Sequence, residues 1–297
     1  MDWRSGAAGG SILFTDSPAS VWPEVANGYV GWRPQPEECS LENSSACNPL
    51  YVAGVYSGRQ FDPSRRAALP RYKVTAALQG PRPRPIRQAW ALDMERGVFT
   101  ERSQIECATS AGAGSVTVEQ QYYAHRESRH VLVHNITIMN GCPHAVSFKL
   151  DCGWVAKSSG VQMNRSDGIG WSTQFGSTLL SETPEMPRVS VAVRASTCNG
   201  ETLQLATAQA EERTFLQAVA TSLPNDHANG TTALESAVDM LGSATKSAEA
   251  GALLVTHEAA WRQLWNTGPP SSKTRALVLA TRTLNGKGHS RVTVSLR

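Results

Sequence analysis

The chain has 297 residues, 40% of them apolar and 18% charged, with 28 Lys and Arg against 25 Asp and Glu. It contains no run of about 18 apolar residues, so no membrane-spanning helix is expected. The slight basic excess sits in one short tail rather than on a patterned face, which gives no case for nucleic acid. That tail, residues 268–297, carries Lys273, Arg275, Arg282, Lys287, Arg291 and Arg297 and no Asp or Glu. Without those six groups the first 267 residues are net acidic. The length allows one large domain or two small ones.

In chain order, residues 1–15 are expected as a flexible N-terminus. The apolar stretch there, Ile12-Leu13-Phe14, is too short for a secretory leader. Residues 16–232 read as a β-sandwich domain. Asn27-Gly28-Tyr29-Val30-Gly31 reads as a tight turn feeding a strand. A phosphate cradle there would need a strand before it and a helix after it, and neither is evident. Val52 to Gly58 reads as a strand with Gly at both ends, and Arg65-Arg66-Ala67-Ala68-Leu69-Pro70 as a surface loop, the alternative being a loop that reaches a ligand or a neighbouring domain. Pro81, Pro83 and Pro85 form a stiff connector.

Trp90, Leu92 and Met94 then alternate, Glu95-Arg96-Gly97 turns the chain, and Val98 to Thr100 returns, a hairpin signal. Ser115 to Tyr123 alternates again. His130 to Met139 has Val131, Val133, Asn135 and Thr137 on one face and Leu132, His134, Ile136 and Ile138 on the other, as in a strand buried on both sides. Strands follow over 145–150, 189–193, 202–208 and 213–221, with turns at Asn140-Gly141 and Cys198-Asn199-Gly200. Short strands at this spacing predict a large antiparallel sandwich or barrel.

Helical spacing begins at Thr232. Leu234, Val238 and Leu241 form one stripe, and 242–251 reads as a weak or broken zone. Leu253, Leu254, His257, Trp261, Leu264 and Trp265 form a second stripe. The tryptophan face of this helix is expected to lack a partner within the chain. Residues 233–267 are therefore assigned as a helical linker.

Few residues invite catalysis. Asp93 with Glu95 or Glu101 could be imagined as a glycosidase acid pair, but Glu95 falls in a turn and is expected to be solvated. His130 and His134 share a strand face about 13 Å apart, too far for one ion. No site for a metal or cofactor is expected, and no catalytic residue is assigned. The six cysteines (39, 47, 107, 142, 152, 198) lack CxxC spacing and, with no leader, are expected to be free thiols in a cytoplasmic protein. On the same ground the tripeptides starting at Asn43, Asn135, Asn164 and Asn229, which match the glycosylation pattern, are given no weight. Trp22, Trp32, Trp90, Trp154 and Trp171 are candidate stacking faces for sugar.

Several of these segments, taken together, resemble the amino-terminal domain of family 65 glycoside hydrolases. They are Asn27 to Gly31, Tyr51 to Gly58, Arg66-Ala67 with Leu69-Pro70, and Ala91-Leu92-Asp93 with Gly97-Val98-Phe99. Tyr123-Ala124-His125-Arg126 with His130-Val131-Leu132 belongs to the same set, as does His257 with Trp261, Leu264, Trp265 and Gly268. The pairing of GVYSG with YAHR and HVL is most similar to the collagen-directed glucosidase branch. Trehalases and disaccharide phosphorylases are the other enzyme relatives. The resemblance implies a mainly β fold: a large antiparallel super-sandwich of the galactose mutarotase type, followed by a helical linker. The (α/α)6 barrel that holds the family's general acid has no counterpart here. It further implies a carbohydrate substrate, glycosylated hydroxylysine, for the full-length relative. The truncated chain alone is expected to be inactive, or to serve as a carbohydrate-binding or homodimer-forming module. Arg65-Arg66-Ala67 departs from the His-Arg-Ala of relatives, and 268–297 is expected as a divergent, disordered basic tail.

Overall fold

A computed structural model describes residues 11–14, 23–34, 49–57, 66–80, 85–107, 114–156, 158–182, 185–224, 226, 231–267, 279–284 and 290–295. The chain is mainly β, built from large antiparallel sheets and two helices, and no helical barrel is evident among the described residues. The strands in chain order are β1 (Ser11–Phe14), β2 (Val25–Ala26), β3 (Val30–Trp32), β4 (Leu50–Val52), β5 (Arg71–Leu78), β6 (Pro85–Asp93) and β7 (Val98–Glu106). Then come β8 (Ser115–Ala124), β9 (Val131–Asn140), β10 (Val146–Val155), β11 (Val161–Gly168), β12 (Trp171–Thr178), β13 (Ser190–Ser196), β14 (Thr202–Leu205) and β15 (Ala210–Thr221). Helices α1 (Ala233–Glu249) and α2 (Leu253–Asn266) follow, then strands β16 (Leu279–Leu284) and β17 (Ser290–Ser295).

Nine strands form one sheet in the order β1-β6-β7-β8-β9-β15-β13-β12-β11. Two three-stranded sheets, β2-β3-β4 and β14-β10-β5, lie over one of its faces. α1 lies over the other, so the domain has three layers. The central strand β9 shows why. Val131 and Val133 turn to the helix, while Leu132, Ile136 and Ile138 turn to the smaller sheets. The sequence pattern had to be apolar on both sides because both sides are covered.

Thr232 caps α1: its hydroxyl accepts from the Glu235 amide at 3.2 Å, and the Glu235 carboxylate accepts from the Thr232 amide at 2.8 Å. Contrary to the expected break, α1 runs unbroken through Gly242 to Glu249, and the chain turns only at Gly251, where φ is +66°. Its buried face is Ala233, Ser236, Ala237, Leu241 and Ala244, whereas Val238 is 39% exposed. Ala233 and Ala237 meet Ala192 and Ala220 of the sheet, so small residues on both surfaces let helix and sheet approach closely.

Other expectations also need correction. The 52–58 strand is shorter and earlier: β4 ends at Val52 and the chain turns at Ala53-Gly54. Ala67, Ala68 and Leu69 are not a surface loop. They are buried and bridged to Leu50 and Ser159. Four of the six cysteines are not free thiols. Cys107 is bonded to Cys142 and Cys152 to Cys198, each with Cα atoms 6.0 Å apart. The second bond ties β10 of a small sheet to the turn after β13 of the large one. Cys39 and Cys47, Pro81, Pro83, Trp22, Asn43, Asn229 and most of 1–15 and 268–297 lie outside the described residues. Within the last span the backbone of β16 and β17 pairs as a hairpin.

Candidate functional site

The β2-β3-β4 sheet floors an open depression of 640 Å³. Asn27 sets its geometry. The Asn27 amide nitrogen donates to the carbonyls of His125 and Arg129, both at 2.8 Å, and its Oδ1 accepts from the amides of Tyr29 at 2.9 Å and Val30 at 3.0 Å. One buried side chain thus folds the 27–31 turn and fastens it to the 125–129 turn of the large sheet. Gly28 takes φ +92°, and a Cβ on Gly31 would meet Ala26 Cβ at 2.9 Å. The segment is a turn into a strand, as its sequence indicates. Tyr29 is held by the Asp226 carboxylate, which accepts its hydroxyl, and by His130, whose ring meets it edge-on at 4.5 Å. Burial and that carboxylate raise the phenol's pKa, so the group stays a proton donor.

Tyr29, Trp32, Tyr51, Tyr56, Arg33 and Arg66 line the depression. The Arg66 guanidinium lies 5.4 Å from the Tyr51 ring centre, and Arg33 pairs with Glu24 at 3.0 Å. Aromatic rings beside fixed hydrogen-bond donors form a surface suited to a flat, hydroxylated ligand. Tyr51, Arg33 and the rest of this group were not singled out together by sequence, because the chain brings them from three separated segments.

A second polar cluster is enclosed between β5 and the large sheet. Arg71, Lys73, Glu101, Tyr122 and His134 are all less than a tenth exposed. Gln120 joins them: its Oε1 is 3.1 Å from the Tyr122 hydroxyl and 3.0 Å from His134 Nε2. Burial lowers Lys73 to about 8, with Arg71 acting in the same direction and Glu101 opposing. Burial, then the charges of Arg71 and Lys73, takes His134 down to about 3, so this ring is neutral at ordinary pH. The imagined acid pair does not assemble. Asp93 accepts from the Glu95 and Arg96 amides as a turn residue, Glu95 is exposed, and Glu101 lies inside among cations.

The third cluster docks α2. His125 Nε2 donates to the Leu253 carbonyl at 2.9 Å, and its Nδ1 accepts from the Ser128 amide at 2.9 Å. His257 Nδ1 accepts from the Arg126 amide at 3.1 Å. Trp261 sits over Gly97, where a Cβ would fall 2.3 Å from its Nε1, and Trp265 Nε1 donates to the Met94 carbonyl at 3.2 Å. Arg96 pairs with Glu258 at 2.5 Å. The expected unpartnered tryptophan face is therefore largely met by the β6–β7 hairpin, with Leu264 and Trp265 still about two-fifths exposed (42% and 39%). Of the other candidate stacking faces, Trp32 and Trp90 are buried, Trp154 donates to Ser172 Oγ at 2.7 Å, and Trp171 is covered by Arg194 at 3.8 Å.

These features define a layered β-sandwich with a docked helical pair. The same fold occurs in a putative kojibiose phosphorylase from human microbiome, with a TM-score of 0.57 at 10% identity over 86% of this chain and 38% of that one. The family described as an uncharacterized conserved protein, DUF2152, matches residues 64–289, more than half of the chain, and the chain belongs to that family. The match extends past Gly268 into the basic tail. The chain is also 27% identical over 253 residues to a protein-glucosylgalactosylhydroxylysine glucosidase of Gallus gallus, covering 84% of this chain and 31% of that protein. It spans about a third of the length of these relatives.

Proposed function

We propose that these residues form the sheet-built, non-catalytic portion of a glycoside hydrolase of the family 65 type. In that reading the whole protein removes α-glucose from glucosylgalactosyl-hydroxylysine. The alignment with the avian glucosidase over 84% of the chain carries the proposal. Hydrolysis by inversion needs one carboxyl to protonate the leaving oxygen and a second to activate water, about 6.5–9.5 Å apart across a pocket. The two carboxylates buried among the described residues, Glu101 and Asp226, are committed elsewhere: Glu101 to the charge of Lys73 and the Gln120 amide, Asp226 to Tyr29, Thr221 and Arg129. A scaffold role fits both. Pure chain incubated with a glucosylgalactosyl-hydroxylysine peptide is expected to release no glucose; steady release would overturn the proposal.

A second reading, saccharide binding, is favoured by the depression lined by Tyr29, Tyr51, Tyr56 and Arg66. Its test is a titration with gluco-oligosaccharides followed by tryptophan fluorescence. The signal should change for the native chain and not for Tyr51→Ala; no change for either rejects this reading.

A further inference from the structure

Three of the four cysteines in the two disulfides are under a tenth exposed, and both bonds sit in the core between β5-β10-β14 and the large sheet. Such bonds form and persist in oxidising compartments and are rare where glutathione keeps thiols reduced. Oxidising secretory compartments are also where Asn-X-Ser/Thr tripeptides are glycosylated. The disulfides therefore give the tripeptides a meaning that the sequence alone did not.

Two of these tripeptides lie within the described residues, and the fold separates them. Asn135 is on β9, hydrogen-bonded between β8 and β15, opposite Gln121 on one side and Thr214 on the other. It is half-buried in the middle of the nine-stranded sheet, on the helix-covered side with Val133. Strands flank it on both sides and its Oδ1 is enclosed. Asn164 is on β11, the last strand of that sheet, which among the described residues pairs only with β12, with Asn164 opposite Phe175. Asn164, Arg165 and Ser166 are all exposed, and no Pro intervenes.

We propose that Asn164 is an N-glycosylation site of the folded chain and that Asn135 is not. The donor class is a lipid-linked oligosaccharide diphosphate, used by a host oligosaccharyltransferase. A bond forms between Asn164 Nδ2 and the anomeric carbon of the sugar. The bond from that carbon to the diphosphate oxygen breaks, the lipid diphosphate leaves with the electron pair, and one amide proton passes to base. The location has a physical consequence. An edge strand presents unpaired N–H and C=O groups to any other chain, and β11 leads into a hairpin tip whose Ile169 is 98% exposed. The Arg165–Asp167 ion pair at 2.8 Å already places charge on this edge. A bulky, hydrated glycan at mid-strand would close it to strand addition.

The test uses the full chain, produced in cultured human cells behind an added secretory leader. Peptide N-glycosidase treatment in heavy-oxygen water converts a glycosylated Asn to labelled Asp. The leader-directed protein is expected to show label at Asn164, none at Asn135, and loss of the Asn164 glycan in both Asn164→Gln and Ser166→Ala. The second variant keeps the asparagine, so the result does not depend on how the first one folds. Unlabelled Asn164 in disulfide-bonded protein overturns the site. Alkylation of Cys107, Cys142, Cys152 and Cys198 as free thiols in the leader-directed protein overturns the disulfides on which it rests.

Discussion

The Asn27 side chain makes four hydrogen bonds within one buried turn, two as donor and two as acceptor. Removing it leaves two carbonyls and two amides without partners in a place water reaches poorly, at about 1–3 kcal/mol for each group left unsatisfied. Part of that is recovered by relaxation, so Asn27→Ala is expected to destabilise the chain by about 3 kcal/mol, read from the urea unfolding midpoint. A shift below about 0.5 kcal/mol, the range of ordinary surface substitutions, would show that the turn holds itself. The identity of the residue was visible in sequence as part of a turn. Its task was not, because the groups it binds lie about a hundred positions away, at His125 and Arg129.

At the scale of elements, α1 shows how a periodic pattern can point to the wrong face. Leu234, Val238 and Leu241 have helical spacing, but the helix turns Ala233, Ala237, Leu241 and Ala244 toward the sheet. The sheet there is also made of alanines, Ala192 and Ala220, so closeness of approach decides the orientation. Inserting extra methylenes into such a contact costs about 1–3 kcal/mol. Ala237→Leu is expected to lower the midpoint by that amount, whereas Val238→Ala should change it by less than about 0.5 kcal/mol. The reverse order in chemical denaturation would restore the Leu/Val stripe as the buried face. Strands β5 and β11 were missed for opposite reasons. β5 carries Arg71 and Lys73 yet is buried on both sides, and β11 is an edge whose polar residues show no apolar alternation.

For the whole molecule, buried neutral histidines link stability to pH. His134 has a native pKa of about 3 and His257 about 4, both lowered first by burial. Unfolded histidine titrates near 6.5. Between the two values the unfolded chain binds more protons than the folded one, so stability is complete above about pH 6.5 and falls as pH drops toward 4. The slope is up to about 1.4 kcal/mol per pH unit for each such group. The urea midpoint should therefore be lower at pH 5 than at pH 7. His257→Asn, which keeps an acceptor for the Arg126 amide but does not titrate, should flatten part of the slope. Equal midpoints for the native chain at both pH values would contradict this.

The amino-acid sequence by itself determined the mainly β class, the order of the hairpins from Trp90 to Leu150, the helical span after Thr232 and the resemblance to a sugar-processing fold. Alternation and turn residues are local signals, readable over a few positions. Tertiary structure alone decided that four cysteines are paired, that α2 rests on the Gly97 hairpin, that Glu101 is enclosed by cations and that Asn164 is at an open edge while Asn135 is not. Those outcomes depend on which distant strands become neighbours, and pairing partners in a sheet are chosen by the packing of whole layers, which no short window of residues contains.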